Sequence, residues 1–136
     1  MIKIWNLENG KSYMTFSSHK SSIYCLKILN EDVLISGSED KTIKFWNIKK
    51  NTCKSLDEHK SAIWCLKLIS DRFLISGAFD GEIKLWDLKS FKCTKTLNGH
   101  TDYISDISIV SNDRVITSSA DSTVKIWALR EELSIK

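Results

Sequence analysis

Histidine, aspartate and hydroxyl side chains recur together along this sequence, and those are the groups from which a nucleophilic triad is assembled. The three histidines, His19, His59 and His100, stand 40 and 41 residues apart, and Asp40, Asp80 and Asp121 keep the same steps. Trp5, Trp46, Trp86 and Trp127 follow at intervals of 41, 40 and 41, which leaves Trp64 as the one tryptophan outside the series. A nucleophilic site is unique and opens into a pocket. Three copies in phase point to a framework instead, so no catalytic residue is assigned and the chain is read as a non-enzyme. Cys25, Cys53, Cys65 and Cys93 form no C-x-x-C pair, and neither a metal site nor another cofactor is expected. Their recurrence suits small apolar residues at equivalent strand positions, kept reduced, better than a disulfide framework. Gly10-Lys11-Ser12 ends like a phosphate-binding loop, but the first glycine of that motif would fall on Trp5, so the three residues are read as a hairpin turn.

The elements that position these residues follow from the same period. A histidine-to-tryptophan interval of 27 is kept in all three repeats, so the one-residue slip falls in 51–56, where an outer strand and its loop absorb it. A period of about 40–45 residues ending in Trp-Asp marks a propeller blade. Each repeat reads as four strands: in the second they are 63–69, 73–76, 82–88 and 91–97, separated by Ser70-Asp71 and the turn 77–81. Two further strands, 2–7 and 11–16, precede the first repeat. Helical spacing is sustained nowhere, and only the tail 129–136 is ambiguous. The expected fold is all-β: blades of four antiparallel strands in an open arc of about three and a half blades. Residues 1–16 form the outer half of a blade, 17–56 the first full repeat, 57–97 the second, and 98–136 the third with its last strand truncated.

The segments LISGSEDKTIKFW (34–46) and LISGAFDGEIKLWD (74–87), with Gly99-His100, resemble the WD-repeat family over essentially the whole chain. The Trp-Asp pair is intact only at Trp86-Asp87, with Trp5-Asn6, Trp46-Asn47 and Trp127-Ala128 elsewhere, a position the family keeps loosely. The resemblance implies a structural hydrogen-bond tetrad in every blade. Its members would be His19, Ser36, Asp40 and Trp46; His59, Ser76, Asp80 and Trp86; and His100, Thr117, Asp121 and Trp127. The chemistry suits that task, because an indole N–H only donates, a carboxylate only accepts, and hydroxyl and imidazole do both.

The family binds partners on the face reached three and five residues past each histidine and one residue before each tetrad aspartate. Here those positions hold Ser22, Tyr24 and Glu39; Ala62, Trp64 and Phe79; and Tyr103, Ser105 and Ala120. Tyr24, Trp64, Phe79 and Tyr103 are aromatic, typical of interface anchors, with Ser22, Glu39 and Ser105 beside them. The competing reading packs Trp64 or Phe79 against a neighbouring blade or has it plug the channel. None of the nine is Lys or Arg, which argues against the phosphopeptide reading of related ubiquitin-ligase receptors. An F-R-R-G motif is absent, and a W-D-x-R box is half met by Trp127-Ala128-Leu129-Arg130. Lys3, Lys44, Lys84 and Lys125, each two residues before a tryptophan, are read as a solvated stripe.

Composition bounds the partner. With 136 residues, 42% hydrophobic and 27% charged, the chain suits one soluble domain. The net charge of +3 is mild and the lysines are dispersed, which disfavours nucleic acid. No basic leader with an apolar stretch opens the chain, and no run reaches the roughly 20 apolar residues of a membrane span. An intracellular location, cytoplasmic or nuclear, is expected, with no membrane partner. The expected function is a protein–protein interaction scaffold or adaptor binding proteins or peptides without phosphate. The alternatives are a substrate receptor of a ubiquitin ligase and a nucleic-acid-associated propeller. Closed propellers need about four to eight blades. The chain is therefore expected to be a fragment, the alternatives being that it needs further blades or a second chain to close the ring, or that it is a poorly folding relic.

Overall fold

The computed structural model describes residues 1–129. The truncated last strand, the tail beyond Leu129 and Arg130 of the half-met box lie outside the described residues. β1 (Ile2–Trp5) and β2 (Ser12–Phe16) pair as a two-stranded sheet. β3 (Ile23–Asn30), β4 (Val33–Ser38), β5 (Ile43–Asn47) and β6 (Thr52–Leu56) make the first blade, and β7 (Ile63–Leu68), β8 (Phe73–Ala78), β9 (Ile83–Asp87) and β10 (Lys92–Leu97) the second. β11 (Ile104–Ser111), β12 (Arg114–Ser119) and β13 (Val124–Ala128) make the third. Every pairing is antiparallel between neighbours in the chain. The described residues are thus an all-β open arc of blades, as the repeat predicts. β8 runs two residues beyond its expected end, because Gly77 and Ala78 still pair with Cys65 and Ile63.

Turn chemistry explains why asparagine can follow the tryptophan. Asp87 Oδ1 accepts the Lys89 amide, and Asn6 and Asn47 accept turn amides through Oδ1 in the same way. An acceptor oxygen is what the turn requires, and either residue supplies it. Gly10, with φ of 67°, closes the β1–β2 hairpin through its amide to the Asn6 carbonyl, so Gly10 and Lys11 belong to the hairpin connection while Ser12 already opens β2.

The core lies between blades. Ile35, Ile43 and Phe45 of the first blade pack on Ile63, Leu66, Leu74 and Trp86 of the second, and Ile75, Ile83 and Leu85 of the second pack on Ile104, Ile107 and Val115 of the third. Two glycines let the blades close up. A Cβ on Gly37 would stand 2.6 Å from Ile63 Cγ2, and one on Gly77 would stand 2.7 Å from Ile104 Cβ. At one end of the arc the first blade is met only by the two-stranded sheet β1–β2, and at the other end no further blade follows among the described residues. Leu26 is exposed where Leu66 and Ile107 are buried, Ile28 is exposed where Leu68 and Ile109 are half-buried, and Val124 and Ile126 are exposed where Ile83 and Leu85 are buried. No helix among the described residues is long and apolar enough to cross a membrane.

Candidate functional site

Each tetrad is assembled from the loop before the first strand, the middle of the second strand, the turn after it and the third strand. In the first blade His19 Nδ1 is 2.7 Å from Asp40 Oδ2 and Nε2 is 2.6 Å from Ser36 Oγ, while Trp46 Nε1–H donates to Ser36 Oγ at 2.8 Å. A carboxylate can only accept, so Nδ1 carries the imidazole proton and the serine hydroxyl donates to Nε2. Thr42 Oγ1–H donates to Asp40 Oδ1 at 2.6 Å, and the Lys20 amide donates to Oδ2 at 2.9 Å. The third blade repeats the set with His100, Thr117, Asp121 and Trp127, clamped by Thr123 and the Thr101 amide. Burial opposes ionisation of Asp40, yet hydrogen bonds from Thr42, Lys20 and His19 hold its carboxyl well below the usual range. Asp121 is lowered likewise, first by the Thr123 hydroxyl.

The second blade departs from this pattern. His59 Nε2 meets Ser76 Oγ at 2.6 Å and Trp86 Nε1–H donates to the same oxygen at 2.8 Å, but Asp80 does not reach the imidazole. Glu82 occupies the place of Thr42 and Thr123, so the hydroxyl that clips the aspartate in position is missing. Glu82 Oε2 lies 3.5 Å from His59 Nδ1, beyond good hydrogen-bond length, and 3.4 Å from Lys84 Nζ. His59 Nδ1 and Glu82 Oε2 are the buried side-chain atoms without a hydrogen-bond partner among the described residues. Burial, reinforced by the Lys84 ammonium, pushes the His59 imidazole down to about 4. The expected Asp80–His59 hydrogen bond is therefore not made, and among the described residues the Asp80 carboxylate accepts the Glu82 amide of its own turn, on Oδ1.

Lys84 also departs from the solvated stripe. It is buried, with Nζ donating to Thr96 Oγ1 at 3.0 Å and paired to Glu82, whereas Lys3 is exposed and Lys44 and Lys125 are half-buried. The cysteines are free, with Cys65 buried, Cys25 and Cys93 half-buried, and Cys53 exposed on outer strand β6, so a common apolar role does not extend to Cys53.

The aromatic residues are brought together. Tyr24 and Trp64 each stand at a register shift, unpaired between Ile23 and Cys25 on β3 and between Ile63 and Cys65 on β7. Each is the extra residue of a β-bulge, which re-aims its side chain out of the strand's alternation. Ser105 holds the same place on β11. Backbone bonds from Glu39 N to Ser22 O, Phe79 N to Ala62 O and Ala120 N to Tyr103 O draw each turn residue beside the entry to its first strand. Gly81, with φ of 83°, lets the second blade's turn approach the third: a Cβ there would stand 2.6 Å from the His100 carbonyl oxygen. The rings then form one cluster across three blades. Trp64 lies 4.8 Å from Tyr24, 5.4 Å from Tyr103 and 6.3 Å from Phe79 between centroids, and Phe79 and Tyr103 are stacked at 5.5 Å with planes 9° apart. Tyr24 and Phe79 remain 41% and 51% exposed, while Trp64 and Tyr103 are half-buried. Trp64 thus packs on neighbouring blades and supports an open aromatic face at once. Ser22, Glu39 and Ser105 are exposed around it, and Glu39 Oε2 accepts the Ser21 hydroxyl at 2.5 Å.

Residues 10–47, 50–87 and 91–128 match the model described as "WD domain, G-beta repeat", more than half of the chain. The chain is 37% identical over 51 residues to Protein tipD of Dictyostelium discoideum, covering 38% of this chain and 8% of that protein. It is 36% identical over 53 residues to Cell division control protein 4 of Saccharomyces cerevisiae, 39% of this chain and 7% of that protein. It therefore spans less than a tenth of either relative. Among solved structures, the WD40 β-propeller domain of Doa1 matches with a TM-score of 0.82 at 27% identity, over 95% of this chain and 44% of that one. The computationally designed Ika4 protein matches with a TM-score of 0.75 at 29% identity, over 85% of this chain and 71% of that one.

Proposed function

Because the chain belongs to the WD-domain, G-beta repeat family, whose propellers are as a rule interaction modules and not catalysts, we propose that it is a non-catalytic scaffold module that binds proteins through the aromatic face of its blades. One observation carries this reading: four rings from three blades touch in series on one face, with Tyr24 and Phe79 half open to solvent. Large rings cost little conformational entropy to order and bury much area, which is why they anchor interfaces. Ser22, Glu39 and Ser105 supply a polar rim around them. None of the nine face positions is Lys or Arg, which favours a partner recognised without phosphate and disfavours nucleic acid. Further blades, from whichever chain, would cover the apolar ends of the arc.

Replacing Trp64 with alanine tests the reading. The proteins retained by the immobilised wild-type chain should be lost from Trp64→Ala, should survive phosphatase treatment of the extract, and should be kept by Trp127→Phe. Trp64→Ala should keep the near-ultraviolet circular dichroism of a folded blade. Retention of the same proteins by folded Trp64→Ala would remove the aromatic face from binding.

A further inference from the structure

Taking the aromatic face as the contact surface, we propose that the second blade presents Asp80 as counter-ion for an arginine side chain of the protein partner, stacked on the rings beside it. In the first and third blades the corresponding aspartates are fully used: Asp40 Oδ2 takes the His19 ring and the Lys20 amide, and Asp121 Oδ2 takes the His100 ring and the Thr101 amide. With Glu82 in place of the clipping threonine, Asp80 makes no hydrogen bond to His59, although its charge still acts on that ring. Asp80 is exposed, and its one side-chain hydrogen bond among the described residues is from an amide two residues away in its own turn. It directly follows Phe79, whose ring is the most exposed of the four and lies stacked against Tyr103.

The surroundings select a cation. The nine face positions hold four aromatic rings, one carboxylate at Glu39 and neither Lys nor Arg, and the nearby lysines Lys20, Lys41 and Lys60 occupy none of them. An aromatic face attracts a cation through its quadrupole, and a guanidinium is the cation that stacks flat on a ring while its N–H groups reach a carboxylate. Ring centroids 4.8 to 6.3 Å apart leave no cage for a side chain to enter, so the rings act as a platform on which a planar group lies. An ammonium would gain less from such a surface. The loss of the aspartate from one tetrad out of three thus converts a framework carboxylate into a recognition carboxylate. The blade gives up a satisfied His59 Nδ1 in exchange.

The probe is an acetylated, amidated Ala-Arg-Ala peptide, titrated against the full chain while the Trp64 indole resonance is followed by NMR. A second titration uses the same peptide with citrulline, which keeps the shape and removes the charge. The arginine peptide should shift the resonance saturably, and citrulline should weaken binding about tenfold or more, the scale of one lost charge-assisted contact. Asp80→Asn should weaken the arginine peptide similarly. Glu82→Thr should weaken it too, because the restored hydroxyl draws Asp80 back to His59, with a new His59 side-chain hydrogen bond visible in the imidazole nitrogen shifts. Equal affinity for the two peptides, or unchanged binding by Asp80→Asn, overturns the proposal. Partner capture that still depends on Trp64 in that case leaves the protein-binding reading standing, and loss of that dependence sinks both.

Discussion

A buried imidazole that hydrogen-bonds no carboxylate makes acidity a direct probe of the second blade. Between pH 6.5 and about 4 an unfolded chain holds a proton on His59 that the folded chain does not, so acidification favours unfolding across that window. The depression amounts to stability on the order of 3 kcal/mol, present above pH 6.5 and lost progressively down to about pH 4. His19 is also lowered, by burial against the opposing pull of Asp40, and adds in the same direction. Asp40 and Asp121 act in a different window: their stabilisation is complete above their unfolded value of 3.8 and fades only below it. His59→Gln should therefore flatten the loss of urea midpoint between pH 7 and pH 5 and leave the loss below pH 4 in place. An unchanged slope between pH 7 and pH 5 would show that His59 does not carry the effect. The tetrad residue types were legible because three copies march in phase. The identity of the carboxylate nearest His59 was not. Asp80 and Glu82 are two residues apart, both polar in the pattern, and only the absent hydroxyl and the buried Lys84 decide between them.

Blade packing depends on backbone closeness that no apolar pattern records. Ile63 and Ile104 sit against Gly37 and Gly77 at distances that leave no room for a methyl group. Gly77→Ala should cost about 1–3 kcal/mol by overpacking against Ile104 and Cys65, seen as a lower urea midpoint. Ser118, which pairs with Asp106 as Gly77 pairs with Cys65, faces no following blade among the described residues, and Ser118→Ala should change the midpoint little. A tolerated Gly77→Ala would mean that the blades slide apart at small cost. The strands themselves were readable from alternation and turn residues to within two residues. Their bulges were not, since a bulge differs from regular strand only in which partner a residue lacks. Asp106, the polar substitute for Cys25 and Cys65, turns out exposed, its carboxylate 3.9 Å from Lys67 Nζ on the neighbouring inner strand.

At the scale of the whole molecule, the described residues bury the faces between full blades and leave apolar positions bare at the two ends, one of them met only by the β1–β2 half-blade. Ile28 at one end is 69% exposed where Leu68 and Ile109 are half-buried, and Ile126 at the other is 68% exposed where Leu85 is buried. Contiguous apolar surface of this kind drives association. The 136-residue chain should sediment with a mass that rises with concentration, and Ile28→Lys with Ile126→Lys should suppress that rise without lowering the melting temperature. A monomer at every concentration in the wild-type chain would count against it. The arc was legible from counting repeats. The joining of Tyr24, Trp64, Phe79 and Tyr103 into one cluster was not, because each ring comes from a separate strand entry or turn and only the stacking of blades brings them within 6.3 Å.

The bulge at the entry of each inner strand has a consequence for how such a surface changes over time. A bulged residue has no cross-strand mate, so the ladder that holds the sheet is indifferent to its identity. Tyrosine, tryptophan and serine already occupy the three equivalent bulges on one unchanged scaffold. If the proposed aromatic face is the contact surface, its side chains can be exchanged blade by blade, as letters in a fixed line of type, while the ladder beneath stays the same.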